Sequence, residues 1–231
     1  MSDDSFIREV EDELRSDQLQ KFWERFKFLI IGGAIAIVVA TAGYRYLLHY
    51  TESVAAASGT RFQEAIDLSG EGKYDEAIAA LEALVEDGSG QYPALAKMRL
   101  AAEFIGKDEP LKAVEAFDSL ANDTTFDETL RDIAKLRSGL LLVDHGTYDQ
   151  VADRLESMAE TGKEFRHSSR EGLGLAAWKA GNYEDALSWF TAIQADVGAP
   201  QGIRQRTAIM LELLRGKGFE AKEQDSSGED S

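Results

Sequence analysis

Apolar and polar positions alternate with two different rhythms along this chain. From Phe28 to Leu48 the sequence FLIIGGAIAIVVATAGYRYLL is almost continuously apolar, and its first 17 of 21 residues hold no charge and no proline. At the helical rise of ~1.5 Å per residue such a run spans about 31 Å, near the hydrocarbon thickness of a bilayer. It stands as the single such run, and it predicts one membrane-spanning helix. After it, apolar residues recur three and four apart among charges, the period of amphipathic helices. The predicted helices cover 53–70 with 74–87, 92–106 with 109–121, 127–144 with 147–160, and 165–180 with 182–196, followed by one at 200–215. Before the apolar run, Phe6, Val10, Leu14 and Leu19 predict a short amphipathic helix over 3–27, read either as a solvated tail or as a docking element. Residues 216–231 are acidic and predict a disordered tail.

The helical part repeats. GKYDEAIAALEAL begins at Gly72, DEPLKAVEAFDSL at Asp108, GTYDQVADRLESM at Gly146 and GNYEDALSWFTAI at Gly181, spacings of 36, 38 and 35 residues. In register they align Tyr74, Pro110, Tyr148 and Tyr183; a small or β-branched column of Ala77, Ala113, Val151 and Ala186; a large column of Leu81, Phe117, Leu155 and Phe190; and a second large column of Leu84, Leu120, Met158 and Ile193. Twelve residues before each member of the small column lies another small residue, Ala65, Ala101, Gly139 or Gly174. Paired small residues on successive helices let the helices cross closely while the large residues fill the space between pairs. Gly72, Gly146 and Gly181 fall where first helices end, at positions that suit left-handed backbone. The pattern resembles the tetratricopeptide repeat, two antiparallel helices with a period near 34. The resemblance covers about residues 58–195. It departs from the repeat in lacking most closing prolines, in Pro110 replacing an aromatic and in Val151 replacing alanine. The fold class is therefore all-α: a transmembrane helix, then an α-solenoid of four helix pairs with a capping helix. The boundaries predicted are 1–27, 28–48, 49–215 and 216–231.

Charge and composition narrow the function. The net charge is −17, and the part after residue 48 keeps 34 acidic against 19 basic residues. Such a surface keeps a helical domain dispersed and repels phosphate backbones, so no nucleic-acid partner is expected. There is no cysteine, hence no disulfide and no thiolate chemistry. His49, His145 and His167 are isolated and read as solvated, and no metal-ligand, phosphate-loop or nucleophile motif appears. Gly172-Leu173-Gly174 lies inside a predicted helix and cradles nothing, and the carboxylates Glu82, Glu86 and Asp87 read as surface charge. No catalytic residue, cofactor, metal or small-molecule substrate is expected.

Ala40-Thr41-Ala42 mimics a signal-peptide cleavage site, but the apolar run is long and the preceding segment acidic, which favours an uncleaved anchor. Lys21, Arg25 and Lys27 precede the anchor, while only Arg45 and Arg61 follow it closely, so the N-terminus is expected in the cytoplasm and the rest translocated. Trp23, Phe26, Phe28, Tyr44, Tyr46 and Tyr50 suit the two interfaces. Gly32, Ala36 and Ala40 share one helix face, either as a packing surface for another membrane helix or as the small residues usual in such helices. The register places Phe62, Ile66, Met98, Ile105, Leu136, Leu140, Leu175 and Trp178 on the first helices, as a peptide groove or as core.

EDELRSDQLQKFWERF running into LIIGGAIAIVVATAGYRY, then ASGTRFQEAI opening the repeats, resembles the family of ancillary Sec translocon subunits, single-pass repeat proteins of the bacterial inner membrane. The resemblance implies a periplasmic scaffold linking exported proteins to chaperones, with translocon subunits, periplasmic chaperones or unfolded clients as partners. The residues themselves also fit an assembly factor for another envelope complex. An enzyme with a cryptic site would need a deep pocket of buried carboxylates, or His145 beside an acid.

Overall fold

The computed structural model describes the backbone of residues 3–220 and the side chains of residues 25–29 and 31–220. The expected amphipathic face before residue 25 and residues 221–231 of the expected tail lie outside the described residues; residues 216–220, expected in that disordered tail, instead end the last helix and pack Phe219 against Tyr183. Within them every regular element is helical, in the order α1 (Asp3–Gly70), α2 (Tyr74–Asp87), α3 (Tyr92–Gly106), α4 (Pro110–Ala121), α5 (Glu128–His145), α6 (Tyr148–Leu155) continued by a 3₁₀ turn (Glu156–Met158), α7 (Arg166–Ala180), α8 (Tyr183–Ala195) and α9 (Gln201–Gly216). The chain divides into two units, Met1–Ala56 and Ala57–Ser231. Helix α1 contributes to both, and the separate helices expected before and after residue 50 are turns of this one element.

In the first unit the apolar residues described between Phe28 and Leu48 are exposed. Phe28 is 78% exposed, Ile37 69% and Val39 65%. In the second, the end of α1 pairs with α2, α3 with α4, α5 with α6 and α7 with α8, while α9 lies over α8. All the aligned small and large positions of the repeat are buried; Ala65, Ala77, Leu81, Ala113, Leu120, Val151, Leu155, Ala186 and Phe190 are 0% exposed. The reason for small residues on the first helices is steric. A Cβ on Gly139 would lie 2.5 Å from Leu155 Cδ2, and one on Gly174 2.7 Å from Phe190 Cε1, closer than real carbon atoms approach.

Local chemistry sets the helix ends. Pro93 and Pro110 sit in the first turns of α3 and α4, where a missing N–H costs nothing. Asp127 caps α5 by accepting from the Thr129 N–H at 2.9 Å. First helices end alike at Gly72 (φ 77°), Asp108 (φ 60°) and Gly181 (φ 81°), each left-handed. The N–H of the next residue then returns to a carbonyl five positions back: Lys73 to Leu68 (2.9 Å), Glu109 to Phe104 (2.8 Å) and Asn182 to Ala177 (2.8 Å). Gly146 corrects the expectation, being extended (φ −126°, ψ −167°). Thr147 and Gln150 form a reciprocal capping box that starts α6 at once, with bonds of 3.3 and 3.0 Å, so α5 ends without the left-handed turn.

Candidate functional site

Five of the eight residues expected on the first-helix face fall at the edges of four separate core clusters. Phe62 packs on the cluster of Ala65, Leu81 and Leu100, with its ring centroid 6.1 Å from that of Tyr92. Met98 borders the cluster of Ala101, Ala113 and Phe117, and Leu136 that of Leu142, Leu155 and Leu173. Leu175 and Trp178 border the cluster of Ala186, Phe190 and Leu214, and Trp178 meets Tyr183 edge-on at 5.2 Å. Lys217 Nζ lies 5.5 Å from the Trp178 ring and 4.9 Å from that of Tyr183, a cation over two aromatic faces. Phe219 follows, 5.3 Å from Tyr183. Ile66 is half-buried, while Ile105 and Leu140 stand 48% and 39% exposed. These positions thus supply apolar edges and two open side chains on successive first helices, at one step per repeat.

Polar contacts between successive first helices run along the same stack. Glu103 on α3 is 2% exposed and accepts from Ser69 Oγ on α1 at 2.8 Å, while Arg99 donates to both. A buried carboxylate so satisfied is stable, whereas an unpaired one is costly. Lys179 on α7 donates to the Val143 and Asp144 carbonyls at the end of α5, where the helix dipole favours a cation. Arg206 on α9 grips Glu171 on α7 with two bonds of 2.6 and 2.8 Å.

His167 corrects the expectation of a solvated imidazole. It is 8% exposed, with Nε2 2.9 Å from Asp196 Oδ2. Arg166 donates to the same carboxylate at 2.8 Å and Arg170 lies 3.4 Å away. Arg166, the Gly198 N–H and His167 together hold the Asp196 carboxyl well below the usual carboxylate range. This cluster ties α7 to the end of α8. His145 is exposed at the end of α5. Among the described residues no group of three His, Asp or Glu is placed to hold a metal ion.

A cleft of about 680 Å³ opens on the second-helix side, between α6, its 3₁₀ turn and α8. A smaller one of about 330 Å³ lies at the start of α8 beside Phe219. Neither is lined by the residues expected to form the groove.

One helix among the described residues is long and apolar enough to cross a membrane, over Arg25–Gly70 at mean hydropathy 2.1 for its most apolar window. Gly32, Ala36 and Ala40 are all exposed on it, and a Cβ on Gly32 would meet nothing within 4 Å.

A family model described as a tetratricopeptide repeat-like domain matches residues 20–215, taking in the apolar segment and all four helix pairs. The chain belongs to that family. It is also 28% identical over 190 residues to the "Ancillary SecYEG translocon subunit" of Escherichia coli (strain K12), a match that covers 80% of this chain and 90% of that protein. No solved structure matches. The resemblance read from the sequence is therefore found independently, and the all-α repeat architecture with one N-terminal apolar helix stands.

Proposed function

We propose that this protein is a membrane-anchored, non-enzymatic scaffold that serves as an accessory factor of the Sec translocon and links exported proteins to periplasmic chaperones. The observation that carries this reading is the span of the family match. It begins at residue 20 and ends at residue 215, so one family model takes in both the apolar helix and the repeats, and the translocon subunit is matched over 90% of its length. The uncovered apolar side chains of residues 28–48 support a lipid environment, since a lone helix exposing Phe28, Ile37 and Val39 is unfavourable in water. Lys21, Arg25 and Lys27 ahead of the anchor favour a cytoplasmic N-terminus and a periplasmic repeat domain.

In this mechanism Gly32, Ala36 and Ala40 let the anchor approach a translocon helix closely. The first-helix face then holds an exported chain or a chaperone segment, with Ile105 and Leu140 as its open apolar contacts. Mild-detergent affinity purification of the full chain tests both halves. Translocon subunits and periplasmic chaperones are expected with the native chain. Gly32→Leu/Ala36→Leu/Ala40→Leu should lose the translocon and keep the chaperones, and Ile105→Glu/Leu140→Glu the reverse. Unchanged recovery with the leucine variant removes the packing claim. Recovery of another envelope complex, by the native chain and by a chain carrying an unrelated membrane helix, would assign the protein to assembly of that complex instead.

A further inference from the structure

Three of the four helix pairs close their far end in the same way. A cation four residues before the small residue of each first helix reaches an acid at the end of the second helix: Arg61 to Asp87 at 2.8 Å, Lys97 to Asp123 at 2.8 Å and Arg170 to Asp196 at 3.4 Å. The partners are 26 residues apart in each pair. The third pair breaks the rule. Its cation is Lys135, but the matching position is Thr161, and Lys135 instead donates to Ser157 Oγ at 3.3 Å. Here α6 is only 8 residues long against 14, 12 and 13 for α2, α4 and α8. The chain passes early into the 3₁₀ turn, and the second-helix surface opens as the cleft of about 680 Å³.

The chemistry of this cleft is specific. Ala152, Ala159 and Ala192 give it small apolar walls. Trp189 forms a side, half-buried and fixed by its Nε1 donating to Tyr148 Oη at 3.3 Å. Asp153, Glu156 and Glu160 line it as well, all exposed, and among the described residues none of the three is ion-paired. Arg170, at its base, is already committed: its Nε donates to the Ala159 carbonyl at 2.8 Å and its charge faces Asp196. The cleft therefore presents three carboxylates without an ion pair of their own beside Trp189, within the usual volume range of ligand sites.

We infer that this cleft docks a basic segment of a partner protein, with a Lys or Arg side chain over Trp189, its charge among Asp153, Glu156 and Glu160, and a neighbouring apolar residue against the alanines. The site is on the second-helix side and stands whether or not the partner of the first-helix face is the translocon's. The sign of the field selects the occupant: three carboxylates face an acidic peptide or a phosphate, against one guanidinium, Arg170, that is already held by Asp196.

The test uses the full chain in detergent and a fluorescent peptide alternating Arg with Leu, followed by anisotropy at low salt. A peptide with Glu for Arg should not bind. Asp153→Asn/Glu156→Gln/Glu160→Gln should weaken binding at least about tenfold, the sum of three exposed charges at close range. The same charge change made elsewhere, Glu82→Gln/Glu86→Gln/Glu115→Gln, should alter it by less than about twofold. Equal weakening by both variants, no weakening by the first, or equal binding of the Glu peptide each overturns the proposal. So does self-association that the cleft variant abolishes while peptide binding persists, because the cleft then serves a second copy.

Discussion

In the apolar segment a Cβ on Gly32 would meet nothing within 4 Å, and Ile37 is 69% exposed; in the repeat stack a Cβ on Gly174 would stand 2.7 Å from Phe190, and Phe190 is 0% exposed. Both regions combine small residues with large apolar ones. In the stack the small residue is a socket for a large one about one helix away, so the chain satisfies its own apolar surface. In residues 28–48 the small and the large side chains that are described lie exposed on one helix, and that surface is open to be met from outside, by lipid or another helix. Glycine and alanine therefore carry opposite information in the two regions: a filled contact in one, an available contact in the other.

The sharpest way to break this comparison is to truncate a large side chain in each region. Phe190→Ala should cost the stack about 3–5 kcal/mol, the range for emptying a buried aromatic site. Ile37→Ala should change it by less than about 0.5 kcal/mol. Urea unfolding of the full chain in detergent, followed by far-UV circular dichroism, reads both; similar losses would erase the distinction. Filling a socket is the next largest effect. Gly174→Val should destabilise by about 1–3 kcal/mol because the Phe190 ring must move, while Gly32→Val leaves the same transition in place.

Smaller effects sharpen how the stack is held. Thr147→Ala removes the capping box that lets α6 begin directly after an extended Gly146, and should cost about 1 kcal/mol in the same assay. The smallest is a pH effect confined to the stack, since residues 28–48 carry Arg45 as their only charge. Bonds from Lys97 and from the Thr125 hydroxyl and N–H lower the Asp123 carboxyl from 3.8 to about 2. A carboxyl held low in the folded state adds stability above its unfolded value and loses it as pH falls through the folded one. Asp123→Asn should thus flatten the fall in melting temperature between pH 4 and pH 2, and wild type and variant should converge at the acid end. Parallel curves across that window would contradict the pairing.

The helices and their register were legible because they rest on local spacing. The columns through Ala65, Ala77, Leu81 and Leu84 and their three later copies are all core, and α2 to α9 begin and end within one residue of the expected positions except α6, expected to reach residue 160 but ending at Leu155. The candidate groove was legible only as a face. Phe62, Met98, Leu136, Leu175 and Trp178 are pinned to four different clusters, and Ile105 and Leu140 alone stand well exposed. One regularity was present in the sequence and went unread: Arg61, Lys97, Lys135 and Arg170 recur in register with the small column. Basic residues are common on helix surfaces, so their period means little until the acids they reach are seen at the far helix ends.

The sequence by itself determined that the chain is helical, where its helices lie, which residues form the repeat core and that one segment is apolar enough to span a bilayer. Each of these follows from short-range periodicity and from transfer of apolar side chains out of water. Only the tertiary structure decided that Gly146 is extended, that His167 is buried against Asp196, that Glu103 is satisfied inside the stack and that a cleft opens where α6 runs short. The Gly146 conformation depends on whether the Thr147–Gln150 capping box closes, the burial of His167 and Glu103 on polar groups distant in sequence finding one another, and the cleft on one helix being a turn shorter than its neighbours. Periodicity carries no information about any of these.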